Sequence, residues 1–148
     1  MRKASRAIVI HENKLLVIHR NKFGKEYYTL PGGNIEVGET PEQALFREVQ
    51  EETMVNIENP RFVILEHSGD PYGDQYIFLC DYISGVPQLH PKAEEVAINN
   101  LGLNLYNPDW LSLDKLSGSP FLSEDLKKII IKFSNSEWPS TAVEITTL

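Results

Sequence analysis

A chain of 148 residues has the length of one domain, since domains typically hold ~100–150 residues, and a single unit over residues 1–148 is the expectation. Its 41% hydrophobic and 24% charged content is that of an ordinary globular protein, without repeats or low-complexity stretches. The net charge of −7 argues against a broad nucleic-acid surface, but it leaves room for a small anionic substrate whose charge a divalent metal offsets.

Arg2, Lys3 and Arg6 accompany the apolar run Ala7-Ile8-Val9-Ile10, which is far shorter than the ~20 residues of a membrane span. It reads as a strand of a cytosolic protein, not bound to a membrane. Ala4 to Ile10 and Leu15 to Arg20 form two β-rich runs, and the polar break His11-Glu12-Asn13-Lys14 between them suits a hairpin. Asn21 to Tyr28 reads as a loop rich in Lys, Gly and aromatics. In Leu30-Pro31-Gly32-Gly33, two glycines mark a place of close packing or ligand contact.

From Thr40 the pattern turns helical. Thr40 can cap the N-terminus, Pro41 suits the first turn, and Gln43 completes a capping box, so a helix is predicted over Pro41 to Thr53. Arg61 to Glu66 and Gln75 to Ile83 read as a second hairpin around the turn Gly69 to Asp74. Residues 84–109 read as a long functional or insertion loop. Trp110 to Leu113 reads as a short strand. Ser123 can cap a helix whose Leu126, Ile129, Ile130 and Phe133 share one face. The tail 136–148 has some β-propensity in Ala142 to Ile145, and an added edge strand, a homodimer contact and a mobile end all remain open for it.

On the predicted helix, Glu48, Glu51 and Glu52 fall within about 100° of one another, with Leu45, Phe46 and Val49 in the adjoining sector. Like charges at these spacings repel, and three carboxylates on one face suit a hard cation such as Mg2+. A solvated acidic face is the plain alternative for such residues taken alone. The 23 positions from Gly33 to Val55 change that reading. Gly33-x5-Glu39-x7-Arg47-Glu48-Val49-x-Glu51-Glu52-x-x-Val55 resembles the Nudix box. Tyr28 to Gly33 looks like the family's lead-in to that box, and Trp110 to Leu116 like its late strand-to-helix segment. Two positions depart from the pattern: Tyr28 stands where the family usually has Trp, and Met54 where it has Gly. Met54 must then accept left-handed strain of ~1–2 kcal/mol or shift the turn onto Asn56.

The resemblance implies an α+β fold, an α/β/α sandwich with a mixed β-sheet, and a hydrolase that cleaves a phosphoanhydride in a nucleoside diphosphate linked to another group. It implies Mg2+, or Mn2+ in its place, on the carboxylates of Glu48, Glu52 and Glu51 and the carbonyl of Gly33. Glu51 or Glu52 would take the proton from the attacking water, with Glu94 or Glu95 as remoter candidates. Arg47 would pair with Glu39 in a positioning role. Glu36 and Glu42 read equally well as solvated carboxylates favoured by the helix dipole.

The remaining residue types carry plainer expectations. His11, His19, His67 and His90 lack zinc-site spacing and read as structural or surface residues. Cys80, the only cysteine, reads as a buried thiol. For Phe23, Tyr27, Tyr28 and Tyr72, packing is favoured over base stacking. Pro71 and Tyr72 lie 16 and 17 positions after Val55, where Nudix subfamilies carry competing substrate markers; in a Gly/Asp turn they read as turn chemistry. A small nucleotide is the expected partner. Two other readings stay open: a nucleotide-binding regulator without hydrolysis, and a hydrolase of RNA 5′ ends, for which Arg2, Lys3, Arg6, Arg20, Lys22 and Lys25 offer a modest basic patch.

Overall fold

The computed structural model describes residues 2–147. Strands β1 (Lys3–His11) and β2 (Lys14–Lys22) form the expected hairpin, closed by Glu12 and Asn13 at φ 50° and 63°. Positive φ at both turn positions matches the right-handed twist of the flanking strands. The expected loop 21–28 is instead a second hairpin: Phe23 and Gly24 turn with positive φ, and β3 (Lys25–Thr29) pairs antiparallel with β2. The polar composition of Lys25-Glu26-Tyr27 hid a strand that buries little. β4 (Gly32–Asn34) pairs with β1, and α1 (Pro41–Thr53) follows within the predicted bounds.

β5 (Asn56–His67) and β6 (Asp74–Ser84) form the second hairpin, longer at both ends than predicted. The stretch 84–109 is not a structureless loop: it holds α2 (Glu94–Asn100) and most of β7 (Asn104–Ser112), which pairs with β2 along its whole length. Ala93 cannot cap α2 with a side chain, and Pro108 interrupts the β pattern, so neither element announces itself. Pro108 is tolerated because β7 has only β2 as a neighbour. Then come α3 (Leu113–Leu116), α4 (Glu124–Ser134), capped by Ser123 as predicted, and β8 (Val143–Thr146).

The strand order is β3-β2-β1-β6-β5-β8, with β4 also on β1 and β7 on β2. β1 runs parallel to β6 and β8 parallel to β5, while the other pairs are antiparallel, so the sheet is mixed. Of the three fates open to the tail, the edge strand is the one realised within this chain. Alternation along the strands creates two cores. Ala7, Val9, Phe78 and Cys80 pack against Leu45 and Val49 of α1; Ile8, Ile64 and Ile77 pack against Leu126 and Ile130 of α4. The result is the α/β/α sandwich that the resemblance implied. Phe46, expected in the buried sector of α1, is 42% exposed, because the buried stripe passes through Ala44, Leu45, Val49, Glu52 and Thr53. No helix among the described residues is long and apolar enough to cross a membrane.

Candidate active site

The loop before α1 and the helix itself are fastened by reciprocal bonds. Thr40 Oγ1 accepts from the Gln43 N–H and Gln43 Oε1 accepts from the Thr40 N–H, the capping box expected from sequence. At the other end Met54 adopts the left-handed conformation itself, φ 55° and ψ 18°, and its N–H donates to the Gln50 carbonyl. The strain therefore stays on Met54 and the turn does not shift to Asn56. Gly32 has φ 147°, and a Cβ there would lie 1.9 Å from the Ser5 carbonyl oxygen. A Cβ on Gly33 would lie 2.5 Å from the Glu48 carboxyl carbon, so the carboxylate presses directly on the Gly33 backbone. Both glycines mark the close packing their sequence suggested.

Arg47 is the clamp of this unit. Its Nε and one terminal nitrogen grip both oxygens of Glu39 at 2.8 and 2.9 Å, the same nitrogen reaches the Asn34 carbonyl at 3.0 Å, and the other donates to Glu48 at 2.8 Å. Bonded to Arg47 and to the Glu36 backbone N–H, the Glu39 carboxyl is held down to about 2. The same partners raise the Arg47 guanidinium further above its usual range. A fork-to-fork contact of this kind fixes direction as well as distance, so the loop 34–39 is held against the helix.

Glu52 is buried, and its Oε1 accepts from the Gly32 N–H at 2.8 Å. Burial pushes its carboxyl up to about 8, opposed by Arg6 and the Gly32 bond. Glu48 is also raised, by burial first, against the pull of Arg47. Glu51 is more open, its side chain 44% exposed and 3.8 Å from Arg47. A further carboxylate comes from the stretch after β6. Gln88 and His90 donate their N–H groups to the carbonyls of Thr53 and Glu51, groups that the last turn of α1 cannot satisfy itself. This docks the chain so that Glu95, buried on α2, opens on the same cavity as Glu48 and Glu52. Glu95 is raised by burial and by the field of neighbouring carboxylates.

Hard oxygen donors, Glu48 packed close to Gly33 and Glu52 buried without an ion-pair partner among the described residues, are the donor chemistry a hard divalent ion requires. As the side chains lie, no three such groups among the described residues are close enough to hold an ion. Arg47 draws Glu48 aside, and the Gly32 N–H holds Glu52.

Gly33, Glu48, Glu52 and Glu95 open on a cavity of about 520 Å3 that also receives Arg2, Arg6, Arg20 and Lys22. Four of the six residues of the basic patch read from sequence are thus gathered in one place. Arg20 lies 3.6 Å from the Tyr106 ring centroid and donates from Nε to the Leu105 carbonyl. Part of the cavity is made by three strands side by side. Arg6, Gln75 and Glu66 stand two residues before or after Ile8, Ile77 and Ile64, on the face that packs against α4. The inward face of the sheet thus changes from apolar to polar at the cavity. That phase, a polar side chain at an inward strand position, is the sequence signal for Gln75 and Glu66, which are not singled out from sequence, whereas Arg6 is already placed in the basic patch.

The expectation for Cys80 holds, and of the four aromatics expected to pack only Tyr28 does so on the core, Phe23 being 69% exposed. The Cys80 thiol is buried, and burial pushes it up to about 12. His11 packs tilted against Tyr82, ring centroids 4.2 Å apart, and His19 stacks on Tyr28 at 4.8 Å. Tyr28 packs against the core under α4, whereas Tyr27 and the partly exposed Tyr72 line the cavity.

A mixed sheet between helices, with the Gly33-to-Val55 loop and helix turning carboxylates onto a cavity that also receives arginines, defines a hydrolase of the Nudix class. The chain belongs to the NUDIX domain family, whose model matches residues 1–133. It is 29% identical over 119 residues to an NAD-capped RNA hydrolase NudC of Edwardsiella ictaluri, covering 80% of this chain and 42% of that protein. It is 35% identical over 102 residues to the protein of that name from Photorhabdus laumondii, covering 69% of this chain and 35% of that one. The chain thus spans less than half the length of these relatives. In fold it is similar to an ADP-ribose pyrophosphatase of Streptococcus suis, with TM-score 0.68, 21% identity, and 97% and 98% of the two chains covered. It is also similar to a NUDIX hydrolase of Nitrosomonas europaea, with TM-score 0.70, 16% identity, and 99% and 79% covered.

Proposed function

We propose that the chain, as a single domain, cleaves a phosphoanhydride in a nucleoside diphosphate linked to another group, water attacking phosphorus. The observation that carries this reading is the opening of Gly33, Glu48 and Glu52 onto the cavity that Arg6, Arg20 and Lys22 share. Glu48, Glu52 and Glu51, with the Gly33 carbonyl, would hold Mg2+ or Mn2+. When bound, the ion supplies neutralisation of the diphosphate and a lowered pKa for the attacking water. Arg20 and Lys22 bind the phosphate oxygens that the carboxylate end leaves uncovered. Arg47 and Glu39 position Glu48 and the loop without touching substrate.

Two carboxylates can accept the water proton within the cavity, Glu52 on the helix and Glu95 beside it. Glu52 would also hold the metal, which favours Glu95 for the transfer; Glu51, 44% exposed at its side chain, does not line the cavity.

A second reading has its own support. Next to the cavity, and sharing Lys22, Tyr27, Tyr72 and Leu122 with it, lies a groove of about 380 Å3 that adds Lys25 and the exposed Phe23. Lysines interleaved with aromatics suit a nucleotide chain continuing past the cleaved diphosphate. The two curated relatives are named for hydrolysing NAD-capped RNA, and an RNA 5′ end is therefore the alternative substrate. Product release from nucleoside triphosphates, ADP-ribose, NAD, dinucleoside polyphosphates and a short NAD-capped RNA, with Mg2+ or Mn2+, tests both. Turnover of one class that disappears in Glu52→Gln supports hydrolysis. Preference for capped RNA over free NAD, lost in Lys25→Ala, selects the second reading. Nucleotide binding without any turnover would replace both with a regulatory role.

A further inference from the structure

Glu66 has no part in the cleavage just described, yet it is 4% exposed and lines the same cavity. Its two oxygens differ. Oε2 accepts from Ser123 Oγ at 2.5 Å and from Thr147 Oγ1 at 3.0 Å. Each of those residues is held at a second point, and Thr147 Oγ1, also 3.4 Å from Ser68 Oγ, is nearer to Glu66. Ser123 Oγ accepts the Leu126 N–H at the start of α4, which leaves its only hydrogen for Glu66. Thr147 is tied down by its own N–H on the His67 carbonyl. Oε1 has no protein partner among the described residues. No fully enclosed side-chain polar atom described lacks a partner, so this free oxygen is one that meets the cavity.

Nothing nearby consumes that oxygen. Gln75, the next residue across the sheet, has its carbonyl oxygen committed to Arg6 Nε at 3.0 Å, and its amide donates to the Tyr72 carbonyl at 2.7 Å. Arg6 feels the charge of Glu66 but makes no ion pair with it, its Nη1 instead reaching the Leu30 carbonyl at 3.4 Å. An oxygen that faces the cavity is open to water in the free protein, so a ligand that displaces that water must bring a donor of its own, or the carboxylate is left buried and unpaired at a cost. A phosphate cannot fill that role, since it carries only acceptors and negative charge. A neutral ring bearing an N–H can, and the cavity wall supplies Leu30, Leu122 and Leu126 for its faces.

We propose that Glu66 is the base-reading residue of this site: its free Oε1 accepts an N–H from the nucleobase, and Ser123 and Thr147 hold it in place to do so. The inference rests on the nucleotide reading above and adds where the base sits, away from the carboxylates of α1.

The test is binding by calorimetry in the presence of a chelator, so that no turnover is involved. The probes are GMP, AMP, UMP, nicotinamide mononucleotide and ribose 5-phosphate, with wild type, Glu66→Gln and Glu66→Ala. A charge-assisted hydrogen bond of this kind corresponds to roughly 10- to 100-fold in affinity. At least one nucleotide should therefore weaken by that factor in Glu66→Ala, and by less in Glu66→Gln, while ribose 5-phosphate changes less than about 2-fold. A ligand-side counterpart needs no variant: methylating the N–H of the preferred base should weaken its binding to wild type comparably. If nucleotides and ribose 5-phosphate weaken together, or if methylation is without effect, Glu66 is a structural residue and the inference fails. That outcome leaves hydrolysis untouched, and a chain that discriminates bases without cleaving anything would leave this inference standing alone.

Discussion

Glu52 offers a stability measurement that reports directly on the electrostatics of the site. In the metal-free protein its carboxyl rises from an ordinary 4.5 to about 8, through burial above all. A folded-state value above the unfolded one means that the protonated group favours the fold fully below about pH 4.5. That advantage is lost as pH rises through about 8. At about 1.4 kcal/mol per pH unit the ceiling is about 5 kcal/mol. The field of Arg6 is already contained in that value; entry of water and local relaxation reduce the ceiling, so we expect about 1–3 kcal/mol. Glu52→Gln removes the titration while its carbonyl oxygen can still accept from the Gly32 N–H. At about 2–4 °C per kcal/mol for a chain of this size, the variant should melt roughly 2–12 °C above wild type near pH 8 with chelator present. The gap should close near pH 4.5, where both forms are neutral. The same substitution should abolish hydrolysis with metal. Scanning calorimetry across that pH range is the assay; equal melting at pH 8, or a gap independent of pH, would refute the reasoning.

Three further outcomes are expected. Arg47→Lys cannot grip Glu39 with a two-pronged fork or reach Asn34 at the same time, so kcat/KM should fall about 10- to 100-fold in steady-state assays while the fold is kept. If Glu95 takes the water proton, Glu95→Gln should lower kcat much more than it changes KM and remove the acidic limb of the pH–rate profile; an unchanged profile assigns that role to Glu52. His67 lies between Asp74 at 2.8 Å and Glu144 of β8 at 3.0 Å, which raise its value, Glu144 first. The attachment of β8 is then complete below the ordinary 6.5 and weakens as pH rises through the raised value. Hydrogen exchange at the Thr147 amide, bonded to the His67 carbonyl, should accelerate across that window, and His67→Asn should flatten the response.

The parts of the fold that were legible from sequence are those whose reasons are local. The helix from Pro41 to Thr53 was bounded correctly because Thr40, Pro41 and Gln43 act on groups within one turn of themselves. Ser123 announced α4 in the same way. The missed elements derive their stability from neighbours far along the chain. β3 and β7 both lie on β2, and α2, with no side-chain cap, is held by a segment that docks on the end of α1 through Gln88 and His90. Polar strands and an uncapped helix have little local signal, because tertiary contacts decide them. Sequence spacing therefore places Glu95 behind Glu51, although Glu95 is buried and lines the cavity while the Glu51 side chain is 44% exposed.

The same distinction separates the two ends of the cavity. The carboxylate end is a run of neighbours in sequence, where spacing alone reports the chemistry. The other end is assembled across strands: Arg6, Gln75 and Glu66 are contiguous only through pairing of β1 with β6 and β6 with β5. A net charge of −7 describes neither end. What matters is that Arg6 lies within the fields of Glu52, Glu48 and Glu66 and that burial depresses its own pKa, so one half-buried cation links the cleavage end to the proposed base-reading end. Arg6→Met should consequently disturb both, raising the pKa of Glu52 further and loosening Gln75, which loses the donor to its carbonyl oxygen. An effect on cleavage alone would mean that the two ends are electrostatically independent.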